Sequence, residues 1–398
     1  MTTPQQPAGP LAGLRVLDLS RILAGPMAAM TLADLGAEVV KVERAGAGDD
    51  TRAWGPPYAE DGTATYFQTA NRNKQSVALD FTNEDDLRVV RGLIRDADIA
   101  VDNFLPGALD RLGIGHEAMR ELNPRIVTAT ISGFGSAGGA SRPGYDFVVQ
   151  ALSGLMDVTG ERDGAAMKVG VALVDILAAK DLTIGVLAAL RHRDATGTGM
   201  HVEVNLLSSI QQALANQSQA VVGAGASPTR LGNMHPSICP YESLPCAEGE
   251  LAVAVGNDKQ FRVFARELGV PHLADDVRFA TNPLRVEHRE ELRPLLSEAL
   301  AAKPAAEWQD QLVPAGLAVG KVNTIAEGIA LAQELGIDPV VPLERDGVAS
   351  SGLRHPIRYT PEFPLPLVGP PALDADGDEI RARYRDTDAP NTERPSNV

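Results

Sequence analysis

The chain has little cysteine, a deficit of basic charge and no long apolar run, and each shortage excludes something. Cys239 and Cys246 are the only cysteines in 398 residues. Two are too few for a disulfide framework, and their spacing is not CxxC, so a reducing cytoplasm is expected. Lys and Arg number 36 against 52 Asp and Glu, a net charge of −16. That lacks the basic excess that nucleic acid or an anionic membrane surface would require, and neither is expected as a partner. A small anionic ligand is still possible, because a few local cations can hold one. No apolar run approaches the ~18 residues of a membrane span. The opening MTTPQQPAGPLAG has neither the basic nor the apolar region of a signal peptide. The seven histidines are scattered, without HExxH or His-x-His, so no metal site is expected. There is no GxSxG elbow. The glycine-rich stretch Gly133–Gly139 fits neither GxGxxG before a helix nor GxxxxGK[ST].

What is present is alternation. Leu14–Leu19 is a short apolar run, read as a buried strand. Met27–Leu35 is helical in composition and ends at Gly36, and Glu38–Glu43 is a second strand. The pattern repeats with strands at Ser76–Asp80, Asp98–Asn103 and Arg125–Ser132, and a helix at Asn83–Asp96. This predicts a doubly wound α/β domain. Val171–His192 is the longest apolar helical stretch and His201–Leu206 a further strand. After a Gly/Pro/Ser-rich linker, strands at Glu250–Val255 and Val319–Val322 and several amphipathic helices form a smaller α/β unit. The expected division is 11–222 for the large domain, 230–330 for the small one, and 340–398 for a return to the large domain and a charged tail, read from Asp374 on as surface-bound or disordered. Residues 1–10 are expected to fray.

Asp175 is the odd residue, set in Gly170-Val-Ala-Leu-Val-Asp175-Ile-Leu-Ala-Ala with apolar neighbours on both sides. A carboxylate there must be paired, accept backbone N–H bonds, or do chemistry. The plain reading is an N-cap for a helix beginning near Ile176. The two roles are compatible, since a helix N-terminus also orients a nucleophilic carboxylate. Of Arg44, Arg72, Lys74 and Arg111 several follow strand ends, where open α/β sheets bind ligands, and together they are candidates for a polyphosphate site. Taken singly, each also reads as solvated surface charge. Cys239 near His235 is a lesser candidate for a nucleophile pair.

The ordered set Leu11-Ala-Gly-Leu-Arg-Val-Leu-Asp-Leu with Ala24-Gly-Pro26, Leu35-Gly-Ala-Glu-Val-Val-Lys-Val-Glu-Arg44, Asn71-Arg-Asn-Lys74, Asn103-Phe104 with Pro106-Gly107, and Gly144-Tyr-Asp146 with Gln150-Ala-Leu-Ser-Gly154 resembles the class III CoA-transferase family. The resemblance spans roughly 11–370. It implies a Rossmann-like large domain plus a smaller α/β domain, with two chains interlocked as an obligate homodimer. It implies that Asp175 is the nucleophile, forming a mixed anhydride and then an aspartyl-CoA thioester. CoA contacts would fall on Arg44, Leu79, Asn103, Phe104, Arg111, Gly133 and Phe134. CoA and acyl-CoA are then substrates, with a small carboxylic acid as acceptor, and no cofactor is held permanently.

Two departures narrow the activity. The racemases of the family carry a histidine acid/base where Tyr145 stands, and a phenol, ionising near pH ~10 in model peptides, is a poor shuttle at neutral pH. Leu23 stands where formyl-CoA transferase has a glutamine before Ala-Gly-Pro, and the glycine-only loop of that enzyme is absent. Ala47-Gly-Asp-Asp-Thr-Arg52 with Trp54-Gly-Pro-Pro57, Ser237-Ile238 with Pro240-Tyr241, and Thr281-Asn282 with Leu284-Arg-Val286 are similar to the dicarboxylate branch. That implies succinyl-CoA as donor and a dicarboxylate as acceptor, with Arg21 and His235 as candidates for its far carboxylate. A 2-methylacyl-CoA racemase and a non-catalytic acyl-CoA-binding paralogue are the alternatives.

Overall fold

The computed structural model describes residues 9–60 and 62–384; the remainder of the charged tail, and the first eight of the ten residues expected to fray, lie outside them. Two compact units result. The first takes in the chain up to Leu155, Val169–Gly225, and the chain from Asp338 on. The second is Met156–Lys168 with Ala226–Ile337.

The first unit is built on six parallel strands: β1 (Arg15–Asp18), β2 (Glu38–Arg44), β3 (Lys74–Leu79), β4 (Ile99–Asp102), β5 (Val127–Ser132) and β6 (His201–Asn205). Their order is 3-2-1-4-5-6. The order reverses between β1 and β4, where Val16 pairs Val39 on one side and Ile99 on the other. Chain leaving β1 and chain leaving β4 therefore diverge from adjacent points, and a crevice opens beyond their carboxyl ends.

Both faces of the sheet are covered, which is why its inner strands read as apolar runs rather than alternating ones, while the edge strand β6 alternates and has no fully buried residue. On one face lie helices α1 (Ala24–Asp34) and, later in the chain, Leu173–Thr196. Ala28, Ala29, Leu32 and Ala33 pack there with Val174, Ala178, Leu182 and Val186 over Val16, Val101 and Ala129. Small side chains let these helices approach closely. On the other face α2 (Glu84–Asp96) presents Val90, Leu93 and Ile94 to Leu17, Val77 and Ala100. Asn83 caps α2 by accepting from the Asp85 N–H at 2.9 Å, and three acidic residues fill the first turn.

The tail expectation needs correction. Gly377–Tyr384 is a helix, and Ile380 and Tyr384 are buried in the same core as α2. Just before it, Asp374 and Asp376 accept from the Ala78 and Ser76 N–H groups, each at 2.8 Å. These carboxylates satisfy the free edge of β3, which would otherwise invite another strand.

The second unit holds three antiparallel strands, Tyr241–Pro245, Glu250–Ala254 and Ala318–Lys321. Its core gathers Phe261, Phe264, Phe279, Leu292 and Trp308. Fully buried Arg285 is satisfied by the carbonyls of Cys239 and Phe279 and by Asp258 at 2.8–2.9 Å, and its guanidinium lies over the Phe261 ring. Cys239 is buried, and burial pushes its thiol up to about 11. That is the opposite of an activated thiolate, so the Cys239–His235 nucleophile is discarded. No described helix is long and apolar enough to cross a membrane, and no described cluster of His, Cys, Asp and Glu could hold a metal ion.

Candidate active site

A cavity of 330 Å³ opens at the carboxyl ends of β1, β4 and β5. Its wall brings together Arg21, Asn103, Phe104, Arg111, Gly133, Phe134, Tyr145 and Asp175. Three other sequence candidates lie elsewhere. Arg44 is exposed at the end of β2 and pairs with Asp50 at 3.5 Å, the carboxylate that Arg21 also meets at 3.5 Å. Leu79 is buried in the α2-side core. His235 belongs to the second unit, where its Nδ1 accepts from the Ser237 N–H at 3.0 Å. Arg72 and Lys74 are not phosphate candidates at all. Arg72 is buried against Asp34, and Lys74 is fully buried with Asp18 at 2.8 Å, the Pro26 carbonyl and Asn71.

Asp175 is not a cap. The helix that carries it begins at Leu173, so Asp175 is in its first turn. Capping is done from outside. α3 (Asp146–Leu152) starts at Asp146, whose Oδ1 accepts from the Val174 N–H at 2.7 Å and the Asp175 N–H at 3.3 Å. We label the long helix Leu173–Thr196 α4. Asp146 also accepts from Gln150 Nε2 at 2.6 Å, and Gln150 Oε1 accepts from the Val169 N–H at 2.9 Å. One turn of α3 thus pins the whole segment leading into α4. Asp146 and Gln150 stood in the family motif, but only their i, i+4 spacing hinted at a joint role.

The Asp175 carboxylate has no hydrogen-bond partner among the described residues. Burial, and then the like charge of Asp146, push it up to about 7. It is therefore poised between its acid and its base at neutral pH. Tyr66, edge-on to Trp54 at 5.2 Å, stands close enough that its phenol is raised by burial and by the charges of Asp175 and Asp146. Sequence reading passed over Tyr66, which no local pattern distinguishes.

The start of α1 lines the same cavity. Its cap residue, Leu23, offers no side-chain acceptor. The N–H groups of Leu23 and Ala24 have no partner among the described residues, and both residues line the cavity with Asp175. An uncapped helix N-terminus in the wall of the same cavity as a buried carboxylate can supply donors to negative charge there.

The position of Asp146 depends on a backbone crossing. A Cβ on Gly133 would lie 2.5 Å from Gly144 Cα, and one on Gly144 would lie 2.3 Å from Gly133 Cα. Only two glycines allow the end of β5 and the chain entering α3 to touch. Gly133→Ala is expected to leave the protein folded but to displace Tyr145 and Asp146, lowering kcat by about a hundredfold. Steady-state kinetics alongside circular dichroism would check it.

The profile of CoA-transferase family III matches residues 11–377, and the chain belongs to that family. It is 42% identical over 372 residues to a succinate–glutarate CoA-transferase of Agrobacterium fabrum, covering 90% of this chain and 93% of that one. It is 38% identical to the succinyl-CoA:glutarate CoA-transferase of Mus musculus, covering 92% and 84%. Among solved structures, a CAIB/BAIF family protein from Brucella suis superposes with a TM-score of 0.85 at 40% identity, over 95% of this chain and all of that one.

Proposed function

We propose that the protein moves coenzyme A from succinyl-CoA to a dicarboxylic acid of the size of glutarate, with Asp175 as the nucleophile. The observation that carries this is the Asp175 carboxylate, held without a partner in the cavity wall and raised to about 7. A carboxylate attacks a thioester well only if it is ionised yet poorly solvated.

The steps balance without any added reagent. The Asp175 oxygen attacks the thioester carbonyl, the C–S bond breaks, and CoA thiolate leaves a succinyl–aspartyl anhydride. Thiolate then attacks the aspartyl carbonyl and releases succinate, leaving an aspartyl-CoA thioester. The acceptor carboxylate attacks that thioester and displaces thiolate, giving a second anhydride. Thiolate finally takes the acceptor's acyl group and frees Asp175. Each tetrahedral oxyanion would receive the Leu23 and Ala24 N–H groups. Water must be kept out, because either anhydride would otherwise hydrolyse.

The CoA phosphates would lie toward Arg111, with Asn103, Phe104, Gly133 and Phe134 along the pantetheine path and Arg44 toward the adenine end, whereas Leu79, buried in the core, has no side-chain surface to offer the ligand. Arg142, also in the cavity wall, adds a further guanidinium. These cations give a local positive mouth to an acidic chain. Arg21 and Tyr145, both in the cavity wall, would serve the acceptor. Among the described residues both cysteines are free thiols, which supports a cytoplasmic setting. The strand order 3-2-1-4-5-6, parallel throughout, supports a Rossmann-like large domain. Two copies would interlock as a dimer, which would cover Phe147 and Leu152 on α3 and Ile184 on α4, all at least 58% exposed in the single chain.

The test is acyl exchange followed by mass spectrometry. The protein would be mixed with succinyl-CoA and, separately, glutarate, hydroxymethylglutarate, malate, itaconate, oxalate, carnitine and short monocarboxylates. Glutaryl-CoA, or another dicarboxylyl-CoA, with equal release of succinate is expected. No new thioester from any acid overturns the proposal, and α-proton exchange of a branched acyl-CoA in D₂O would replace it with racemisation.

A further inference from the structure

The loop between β1 and α1 is held in a conformation that its sequence does not favour. Ile22 has φ of +71°, the left-handed region that a β-branched residue avoids. Glycine would adopt it freely. An isoleucine there persists only if its surroundings over-determine it.

They do so from both sides. The Ile22 N–H donates to the Asp49 carboxylate, at 3.2 Å to Oδ2 and 3.4 Å to Oδ1. Two residues earlier, the Ser20 carbonyl accepts from Lys41 Nζ at 2.9 Å. Asp49 and Lys41 are themselves an ion pair at 3.0 Å with both side chains fully inaccessible. Between these grips, the Arg21 backbone is bonded in both directions by Asn103, N–H to Oδ1 at 2.9 Å and Nδ2 to carbonyl at 2.7 Å. The Ser20 carbonyl, the Arg21 N–H and carbonyl, and the Ile22 N–H are thus all occupied. The residues that follow, Leu23 and Ala24, carry the partnerless N–H groups in the cavity wall.

We propose that Asp49 and Lys41 are positioning residues: a buried ion pair that locks Ile22 in the left-handed turn and thereby aims the first N–H groups of α1 at the reacting carbonyl. This rests on the reading of the cavity as the site of CoA transfer. A buried pair of this kind is a poor source of stability, since apolar residues of similar size commonly do as well. Its use here is geometric. A glycine at position 22 would reach the same φ but leave the donors loose. A clamped isoleucine holds them to one direction before substrate arrives.

The test is a double-mutant cycle on the full-length protein, read by steady-state acyl exchange. Asp49→Asn should lower kcat by about tenfold or more while the KM for the acyl-CoA donor changes less than about threefold. Adding Ile22→Gly should recover part of that loss but not all of it, because glycine visits the left-handed turn without being forced yet does not hold it. Should Asp49→Asn fail to fold, the paired change Lys41→Met with Asp49→Leu removes the clamp without orphaning a charge, and the same Ile22→Gly rescue applies. An equal loss with and without Ile22→Gly, or a loss confined to KM, overturns the proposal. Absence of transfer in the unaltered protein would instead overturn the functional reading beneath it.

Discussion

Asp175→Ala is expected to lower CoA transfer by about a thousandfold or more while the protein stays folded and still binds CoA. The carboxylate accepts no hydrogen bond among the described residues, and burial together with Asp146 holds it up near 7. Removing it therefore leaves no orphaned donor, and it relieves both the desolvation and the repulsion. Thermal stability should be equal or higher, the usual sign of a residue kept for function. The sign of the pH effect is fixed. A carboxyl whose folded pKa is raised contributes stability fully only below the ordinary aspartate value, and that contribution disappears as pH rises through about 7. The melting temperature of Asp175→Ala relative to the unaltered protein should thus rise between pH 5 and pH 8. Activity runs the other way. The attacking form is the ionised one, so kcat/KM for the donor should fall about tenfold per pH unit below 7. Hydroxylamine added with succinyl-CoA should inactivate the unaltered protein, by trapping the acyl-aspartyl intermediate, and leave other proteins indifferent. Turnover of Asp175→Ala above about one per cent would remove it as nucleophile.

How much of this was legible beforehand depended on how local the cause was. The inner strands of the sheet showed as apolar runs because both faces are buried, although the edge strand β6 has no fully buried residue, and α2 showed through Asn83 and its acidic first turn. Asp175 stood out because a charge among apolar neighbours is costly wherever it lies. Its cap did not, because the acceptor is Asp146 on another helix, 28 residues away. The same distance problem misled the reading of Lys74 and Arg72. A sequence displays their charge but not Asp18 and Asp34, the partners that bury them. The hairpin of Val340–Arg345 and Val348–Leu353 was passed over although Asp346-Gly347, both at positive φ, is a strong turn signal. The proline-rich surroundings hid it. In the tail, heavy charge masked Ile380 and Tyr384, whose i, i+4 spacing is the apolar stripe of the last helix. The strained turn at Ile22 leaves no trace in local sequence at all, since its cause is a contact with Asp49.

Asp146 is the second position where a large effect is expected, and two substitutions there should behave differently. As a charge, it helps to hold Asp175 near 7. As an acceptor, it binds the Val174 and Asp175 N–H groups and Gln150. Asp146→Asn removes the charge and keeps an acceptor oxygen for the helix. The Asp175 carboxyl should then ionise at lower pH, though not at the ordinary aspartate value, because burial is the larger cause and is untouched. The acid limb of kcat/KM should move down by about half a unit to one unit. At pH 6, where the unaltered enzyme is mostly protonated, this variant should lose least and can exceed it. Asp146→Ala removes both roles. It leaves the first N–H groups of α4 without their acceptor, a loss of about 1 kcal/mol in helix capping alone, and frees the segment from Val169 onward. Its kcat should fall by about a hundredfold at every pH, since a nucleophile displaced by an ångström does not recover when it is ionised. Full pH profiles of both variants separate the two roles. Parallel profiles, with neither limb displaced, would mean that Asp146 acts on Asp175 through position only.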